Sequence, residues 1–563
     1  MRHLEKPRSA PLIIFILLVF MGIASTVKAD VMFVSGDVSG VWSADSVFVT
    51  DSIYVSPGNT LVIEPGVRVL FLSWYYFTVN DGAVLQAVGT EADSIYFLIA
   101  VDGFSTLGID FLNASDESIL EYCYFSHALY SAIALTNSDI TIRHCLIEDN
   151  SGHYRGGGIS ALEGSDALIE YNIIRNNSTI QDGGGIYCDA SSPIIRGNII
   201  DNNSSGPIAA GGGISCANHS HPLIVDNTIT NNQVFPSPIY PTTVGQGAAI
   251  FCANLCNPVI RGNLFSNNRV NSGGAVGQGG GGAIFVSAAD PVIENNVFAG
   301  NVVEYGDGGA LYLFIYNGTL LNNVFTGNTA ARDGGAIYMD LSHPSVINSV
   351  LYGDNAPDGP ELYLYGSSEV TVSYSDIEGG WEGEGNIDVD PLFRDPIGGD
   401  YHLQDSVECG DQYYSPCIDA GSPDFTDSLL DCSWGLGTEL SDIGAYGGGD
   451  SLITAVTEDG SNVPQEIRLV GNYPNPFNAS TNISFIFNAV DQAADRPTHV
   501  TLNIYNMLGQ KVRTLVDGTV PPGTYNVIWD ARSEQGEEVA SGLYLYKLRT
   551  GEVDQTMKMI LLR

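Results

Sequence analysis

The stretch that decides the fold is GGGIYCDASSPIIRGNIIDNNSSGPIAAGGGISCANHSHPLIVDNTITNN (183–232), which contains one pattern twice. A Gly-rich step leads into an apolar residue, a short strand opened by proline follows, and an Asn-apolar-apolar segment ends the unit. The Asn segment recurs from YNIIRNN (171–177) to NNVFTGN (322–328). The fourth residues of the Gly-rich steps are Ile159, Ile186, Ile214, Ile250, Ile284, Leu311 and Ile337. The chain therefore repeats a unit of about 27 residues.

Each unit is predicted to hold three strands of about four residues, separated by Gly, Asn or Pro turns. Three such strands cannot bury an apolar face alone, but stacked units can. If each unit is one coil, equivalent strands pair in parallel about 4.8 Å apart, and like residues form columns. The seven residues above would form one interior column, and the recurrent Asn suits left-handed backbone and side-chain stacking at a corner. A second column, two residues on, would hold Ala161, Cys188, Cys216, Cys252, Val286, Leu313 and Met339. A β-propeller is excluded because it needs repeats of roughly 40–45 residues.

The charge balance limits the partners of this chain. Its 563 residues include 64 Asp and Glu against 22 Lys and Arg, which gives a formal net charge of −42. Nucleic acid is not expected as a partner, because binding phosphate requires clustered Lys and Arg. An anionic membrane surface is disfavoured for the same reason. Apolar residues make up 44% of the chain, so it is not a disordered acidic polymer.

Residues 1–29 are predicted to be a signal peptide that is removed on export. A basic start precedes an uncharged apolar run at 11–24, and Val27-Lys28-Ala29 supplies the small residues of a cleavage site. An uncleaved N-terminal anchor is the alternative. No other stretch is apolar enough to cross a bilayer, so we expect a secreted mature chain without a transmembrane segment.

Nine cysteines follow this segment, and an odd number leaves at least one thiol unpaired. Cys409, Cys417 and Cys432 lie in a Gly/Pro/Asp-rich stretch where a disulfide is expected, with the pairing open. The other six fall within the repeat, where a free cysteine acts as a small hydrophobe.

Charge also divides the mature chain into two domains. Residues 30–463 contain nine Arg, no Lys and 53 acids, whereas residues 464–563 contain nine positive and ten negative side chains. Residues 464–563 also alternate as short half-buried strands, which is typical of a small β-sandwich. We predict the repeat domain with its capping segments at 30–450, a linker at 451–463 and the β-sandwich at 464–563.

On these motifs, most of the mature chain resembles the right-handed parallel β-helix family of exported bacterial proteins, within the pectate-lyase-like superfamily. The entry segment GNTLVIEPGVRVLF (58–71) is similar to the first coils of such proteins, and IDVDPLF (387–393) and SDIGAYGG (441–448) resemble the region that closes them. The resemblance implies an all-β fold. It says little about activity, because lyases, hydrolases, epimerases and adhesins share this fold.

Residues 464–563 resemble the C-terminal sorting domain of proteins exported by the type IX secretion system, and the related Ig-like domains of flagellar hook-capping proteins. The matching stretches are NYPNPFN (472–478), IYNMLGQKVRTL (504–515) and SGLYLYKL (541–548). The resemblance implies recognition by the type IX secretion machinery, passage across an outer membrane and attachment of the remainder to the cell surface. An Ig-like module without a sorting role is the alternative.

No compact catalytic motif is present in the sequence, which lacks His-Glu-x-x-His, Gly-x-Ser-x-Gly and a P-loop. The resemblance implies that a pectate-lyase-like enzyme would need Ca²⁺-binding carboxylates and a basic residue. Nine arginines are available as bases, and Arg196 and Arg261 share one repeat position two coils apart. The Gly-His-Gly and Arg-x-Lys strings of polygalacturonase-like hydrolases are absent. An extracellular polysaccharide lyase or glycoside hydrolase is therefore the less favoured alternative.

Two consecutive long units indicate a binding face. Asn232 to Gly247 takes 15 residues and Asn268 to Gly281 takes 13, so both insertions fall at the same corner of neighbouring coils. Adjacent loops often build binding sites. The outward strand position after this corner carries four consecutive aromatic residues, on which sugar rings could stack: Phe251, Phe285, Tyr312 and Tyr338. The alternative is that the rings shield the sheet or support the loops.

The densest outward carboxylates are Asp388, Asp390, Asp395 and Asp400, which are candidate ligands of Ca²⁺. A solvated acidic face is the alternative. Taken together, the sequence predicts a secreted or cell-surface β-helix protein with a structural and binding role, and its candidate partner is a polysaccharide or cell-surface glycan.

Overall fold

The structure is a computed structural model, and it describes residues 30–101, 105–206, 210–235, 245–271, 279–427, 430, 432, 435–447, 467–473, 481–487, 498–506, 510–520, 523–534, 536, 539–540, 542–549 and 554–561. The chain divides into two compact units, Met1–Asp424 with Leu430–Gly447, and Phe425–Leu429 with Gly448–Arg563. The predicted signal peptide (1–29) and linker (451–463) lie outside the described residues. No described residue belongs to a helix that is long and apolar enough to cross a membrane.

The first unit is a right-handed parallel β-helix in which each coil gives one short strand to each of three sheets. Sheet 1 follows the Gly-rich step, with strands Phe77–Val79, Ile109–Leu112, Ile133–Thr136, Ile159–Leu162, Ile186–Asp189, Ile214–Ala217, Ile250–Ala253, Ile284–Ser287, Leu311–Phe314, Ile337–Asp340 and Leu362–Tyr365. Sheet 2 comes next along each coil, with strands Gly40–Trp42, Thr60–Ile63, Val84–Val88, Ile119–Glu121, Thr141–Arg143, Leu168–Glu170, Ile194–Arg196, Leu223–Val225, Val259–Arg261, Val292–Glu294, Thr319–Leu321, Ser345–Ile347 and Thr371–Ser373.

Sheet 3 is formed by the Asn segments, with strands Arg68–Phe71, Ile95–Ile99, Cys123–Ser126, Leu146–Glu148, Ile173–Arg175, Ile199–Asp201, Thr228–Thr230, Leu264–Ser266, Val297–Ala299, Val324–Thr326, Val350–Leu351 and Asp376–Ile377. At the N-terminal end Val31–Asp37 and Ser46–Val55 join sheets 1 and 3, because Ser46–Val55 pairs with a strand of each. A ladder of two-residue strands follows sheet 3: Ser151–Gly152, Ser178–Thr179, Ser204–Ser205, Gln233–Val234, Arg269–Val270, Val302–Val303 and Thr329–Ala330.

The predicted interior columns are confirmed. Ile186 pairs with Ile214 and Ile214 with Ile250, and all three are completely buried. The second column is equally buried, and it places Cys188, Cys216 and Cys252 in direct succession. Because strand residues alternate between the two faces, these columns fix which side chains of sheet 1 point outward.

Asparagine side chains form buried ladders on either side of sheet 3. The ladder before sheet 3 contains Asn172, Asn198, Asn227, Asn263, Asn296 and Asn323. The ladder after it contains Asn150, Asn177, Asn203, Asn232, Asn268, Asn301 and Asn328.

Each asparagine of these ladders is fully hydrogen-bonded. In the second ladder, Asn177 donates from its backbone N and from Nδ2 to Oδ1 of Asn203, both at 3.0 Å, and from Nδ2 to the carbonyl of Ile147 at 2.9 Å. Such bonds remove the cost of burying a polar amide. The left-handed conformation falls on the preceding, exposed Asn176, with φ 55°, so the two roles predicted for the recurrent asparagine belong to neighbouring residues.

One disulfide joins Cys409 to Cys432, which settles the pairing that the sequence left open. Cys417 is a buried free thiol, as are the six cysteines of the repeat. Cys145 takes the position before Asn172 in the first ladder, and its backbone N donates to Asn172 Oδ1 at 2.9 Å.

The region after the last coil covers the outer face of sheet 3. It contains the antiparallel strands Phe393–Asp395 and Asp400–Leu403. Val324 and Val350 point outward from sheet 3 and pack with Leu403, Ile418 and Ile443 in one apolar cluster. The exit motif recognised in the sequence therefore belongs to a cap over the last coils.

The second unit is a small Ig-like β-sandwich of antiparallel strands. One sheet holds Ile467–Tyr473, Thr481–Phe487 and Gly523–Trp529, and the other holds Lys511–Val520, Thr498–Asn506, Gly542–Arg549 and Asp554–Leu561. Its core includes Phe485, Leu502, Trp529 and Tyr546.

Candidate binding face on sheet 1

The predicted aromatic residues lie in one outward column of sheet 1. Phe251, Phe285, Tyr312 and Tyr338 pair in successive strands, and the column continues to Tyr363, which the sequence analysis missed. Ring centroids of neighbours along this column are 5.8, 4.8, 4.8 and 5.5 Å apart. The coil spacing therefore sets the stacking distance.

Stacking covers the faces of the inner rings. Phe285, Tyr312 and Tyr338 are only 5%, 3% and 5% exposed. A sugar ring cannot lie flat against a ring face that another ring already covers. Ligand contact by the four predicted residues stays a prediction, and the structure adds Tyr365, which is 50% exposed and has its ring centroid 6.2 Å from that of Tyr338.

The two long insertions lie mostly outside the described residues, which omit 236–244 and 272–278. The described chain beside them shows that they belong to one corner of the coil. Ala210, Gln246, Gly280 and Asp307 form successive parallel bridges immediately before the Gly-rich steps.

A buried ion pair lies at this corner. Asp307 is 1% exposed and accepts hydrogen bonds from the Arg332 guanidinium, with Nε at 3.0 Å from Oδ1. The backbone N of Asp333 also donates to Asp307 Oδ1, at 3.3 Å. Arg332 is therefore engaged, and the Asp307 carboxylate raises its pKa.

Asp340 lies beside the aromatic column without such a partner. It points outward two residues after Tyr338 and is 6% exposed, and its carboxylate neither accepts a hydrogen bond from nor forms an ion pair with any described residue. Burial raises the pKa of its carboxyl group. The charge of Asp340 in turn adds to the burial that raises the pKa values of Tyr312 and Tyr338. The sequence analysis did not single out this residue.

Almost every arginine of the β-helix unit is neutralised by a carboxylate. Eight of the nine arginines between residues 30 and 463 form ion pairs: Arg143–Glu121, Arg155–Asp189, Arg175–Glu148, Arg196–Glu170, Arg261–Glu294, Arg269–Glu304, Arg332–Asp307 and Arg394–Asp411. The ninth, Arg68, lies 5.8 Å from the ring centroid of Tyr96. Arg196 and Arg261 do share one register position with Val225 between them, as predicted.

Among the described residues, no three of the four aspartates predicted to bind Ca²⁺ form one group. Asp388 and Asp390 accept backbone N–H bonds from Gly379 and Leu392, at 3.2 and 2.9 Å. Asp395 caps its own turn by accepting from the backbone N of Gly398, at 3.0 Å. Asp400 lies opposite Asp395 in a strand pair.

Asp400 forms a hydrogen bond with the His402 side chain. Its Oδ1 is 2.6 Å from Nδ1 of His402, and hydrogen bonds from His402 hold the pKa of Asp400 below its usual value despite burial. Within the described ranges, no three His, Cys, Asp or Glu side chains are grouped so that they could hold a metal ion.

Comparisons with known families match parts of the chain. The model of the right handed beta helix region matches residues 100–245, the FlgD Ig-like domain model matches residues 477–552, and the Chlamydia polymorphic membrane protein repeat model matches residues 324–340. No match was found among curated proteins or solved structures. The matches agree with the two folds described above. None of them bears on a sorting role or on pectate-lyase-like chemistry.

Proposed function

We propose that this protein is a secreted or cell-surface β-helix with a structural and binding role, and that residues 464–563 direct its export. The observation that carries the proposal is the outer face of sheet 1, where stacked rings and Asp340 are held on coils joined by hydrogen-bonded strands and asparagine ladders. Such a scaffold positions a recognition surface precisely and resists local opening.

The surface location is supported by the match at residues 324–340. This match spans one coil, from the strand Val324–Thr326 to the strand Ile337–Asp340, and the matching model is named for a membrane protein of Chlamydia. The coil carries Tyr338 and Asp340, so the matching repeat and the candidate binding face overlap.

The alternative, a polysaccharide lyase, receives less support from the geometry. Such an enzyme needs a basic side chain that is free to remove a proton. The described arginines of the β-helix are held by carboxylates or, for Arg68, lie over a tyrosine ring. A panel of acidic and neutral polysaccharides, assayed for reducing ends and for unsaturated products, tests this alternative, and turnover would contradict a purely binding role.

The export role rests on the Ig-like fold of the C-terminal unit and on its resemblance to sorting domains. Deletion of residues 464–563 should leave the β-helix inside the cell envelope, whereas the full chain reaches the cell surface or the medium. Immunodetection in cell fractions measures this. Surface display of the truncated chain would contradict the sorting role.

A glycan is the proposed partner of the sheet 1 face. Glycan-array binding by the full chain should weaken when Tyr365 is replaced by serine, because Tyr365 is the accessible ring. The single variants Phe285→Ser and Tyr312→Ser test the buried part of the column, with circular dichroism as the folding check. Unchanged glycan binding by all three variants would argue against a glycan at this face.

A further inference from the structure

Two coils of sheet 1 carry the same outward Tyr-x-Asp pair, but they differ in whether a cation pairs with the aspartate. Tyr187 and Asp189 stand at the register positions of Tyr338 and Asp340, since in both coils the tyrosine lies four and the aspartate six residues after the first glycine of the Gly-rich step. A repeat protein permits this comparison directly, because equivalent residues of different coils occupy equivalent environments.

At the first pair, a guanidinium group satisfies both partners. Arg155, from the preceding coil, has its guanidinium carbon 4.9 Å from the ring centroid of Tyr187. Its Nη1 lies 3.3 Å from Oδ2 of Asp189, and the Tyr187 hydroxyl donates to the same oxygen at 3.1 Å. The cation therefore stacks on the tyrosine and pairs with the aspartate, which is the geometry a planar guanidinium favours.

At the second pair, the residue corresponding to Arg155 is Asp307. Both residues directly precede the Gly-rich step of the coil before the Tyr-x-Asp pair. Asp307 cannot neutralise Asp340, and it also holds Arg332, the nearby arginine. Asp340, a residue with 6% exposure, is therefore left with a carboxylate that pairs with no cation of the described residues.

Two buried carboxylates on the outer face of sheet 2 do have such a cation. Glu170 is 6% exposed and pairs with Arg196, and Glu294 is 5% exposed and pairs with Arg261. Burying an ionised carboxylate without a counter-charge is costly. The Asp340 carboxylate has no such pairing with a cation of the described residues.

We infer that Tyr338 and Asp340 form a binding site for a guanidinium group supplied from outside, such as an arginine side chain of a partner protein. Asp340 pairs with the guanidinium, Tyr338 and the exposed Tyr365 flank it, and Phe314 precedes Asp340 in the same column. Because acidic residues of the β-helix far outnumber its arginines, its negative surface charge attracts a basic partner towards this site. The inference deepens the proposed binding role by naming a partner class, but it does not depend on the export route or on glycan binding.

The test is isothermal titration of the purified full chain with argininamide, and with citrullinamide as the neutral analogue of the same shape. We expect argininamide to bind saturably with one site and citrullinamide to bind at least tenfold more weakly. Asp340→Asn should weaken argininamide binding at least tenfold, and Tyr365→Ser should weaken it severalfold. Because Tyr365 is at the surface, Tyr365→Ser keeps the site testable if Asp340→Asn does not fold.

Glu163→Gln is the matched control, because it removes one negative charge from an exposed turn of the same β-helix. It should leave argininamide binding unchanged. Equal weakening by Glu163→Gln, or equal binding of argininamide and citrullinamide, would show only general attraction to an acidic surface and would overturn the site. Undiminished binding by Asp340→Asn would overturn it directly. Either failure would leave export and glycan recognition as separate questions.

Discussion

The second asparagine ladder ends on a carboxylic acid, and this end should make the last coils sensitive to pH. Asn328 donates from its backbone N and Nδ2 to Oδ1 of Asp354, at 2.6 and 2.8 Å, as it would to another asparagine. The backbone N of Asp354 in turn donates to Oε1 of Glu361, at 3.3 Å. Oδ2 of Asp354 and Oε2 of Glu361 are buried and have no hydrogen-bond partner. A proton shared by the two acids would let Asp354 donate as an asparagine amide does.

Burial and the mutual repulsion of the two acids raise the pKa of Asp354, and burial raises the pKa of Glu361 from 4.5 to about 7. A shift of this size corresponds to about 3 kcal/mol, at roughly 1.4 kcal/mol per pH unit. Because the folded pKa is raised, the folded coil binds the proton more tightly than the unfolded chain. The stabilisation is therefore complete below about pH 4.5 and is lost as the pH rises through about 7.

Glu361→Gln should remove this contribution, because it removes the group whose pKa burial raises. The glutamine oxygen can still accept from the backbone N of Asp354, and its amide can donate to Asp354 without a shared proton. We expect the variant and the parent to be equally stable near pH 4.5, and the variant to be more stable by about 3 kcal/mol at pH 8.5. Hydrogen-exchange mass spectrometry of peptides covering residues 345–365, corrected for the intrinsic exchange rate at each pH, measures the opening free energy of these coils.

Asp358→Asn is the matched control, since Asp358 is an exposed carboxylate of the same turn. It should keep the pH dependence of the parent protein. If Glu361→Gln loses as much stability as the parent protein between pH 4.5 and 8.5, or if Asp358→Asn abolishes that loss equally, the loss does not come from the buried Glu361.

Three further outcomes follow from the scaffold. Asn203→Ala should lower the free energy of unfolding by about 3 kcal/mol in urea titrations, because it leaves buried N–H donors of the preceding coil without an acceptor. Asn202→Gly is the control, and it should change the free energy of unfolding little because Asn202 already has a φ of 51°. Gly212→Ala should lower the free energy of unfolding by about 3 kcal/mol, because a Cβ there would lie 2.5 Å from a backbone carbonyl oxygen. Gly164→Ala should lower it by only about 1 kcal/mol, because a Cβ there would have no atom closer than 3.9 Å and the cost comes from the left-handed backbone alone. EDTA should leave the thermal midpoint unchanged, and a fall of several degrees would support the predicted Ca²⁺ site.

The periodic part of the fold could be predicted from the sequence because like residues recur at the coil spacing. Ile186, Ile214 and Ile250 needed only that periodicity to be placed in one column. The alternation of Glu121, Arg143, Glu170 and Arg196 at one repeat position was equally readable, and it would have predicted that the arginines are paired.

The parts outside the repeat could not be predicted in the same way. The pairing of Cys409 with Cys432 depends on how an aperiodic segment folds over sheet 3, and the four predicted metal ligands lie in that segment or lead into it. The sequence left open whether Tyr312 contacts a ligand or shields the sheet, and its burial comes from neighbouring rings of the column that cover its faces. Asp340 was recognisable only by comparing its coil with that of Asp189, since a lone Tyr-x-Asp pair carries no signal.

The pairing of arginines across coils also limits the access of proteases to cleavage sites in this protein. Residues 30–463 contain no lysine, so an enzyme of trypsin-like specificity can cleave there only after arginine. Arg143, Arg196 and Arg261 each end a strand, and each side chain is held by a carboxylate of an adjacent coil. Entry into a protease specificity pocket would require breaking the ion pair and peeling the strand from its neighbours. The coils can therefore resist trypsin-like proteases without disulfide cross-links between them.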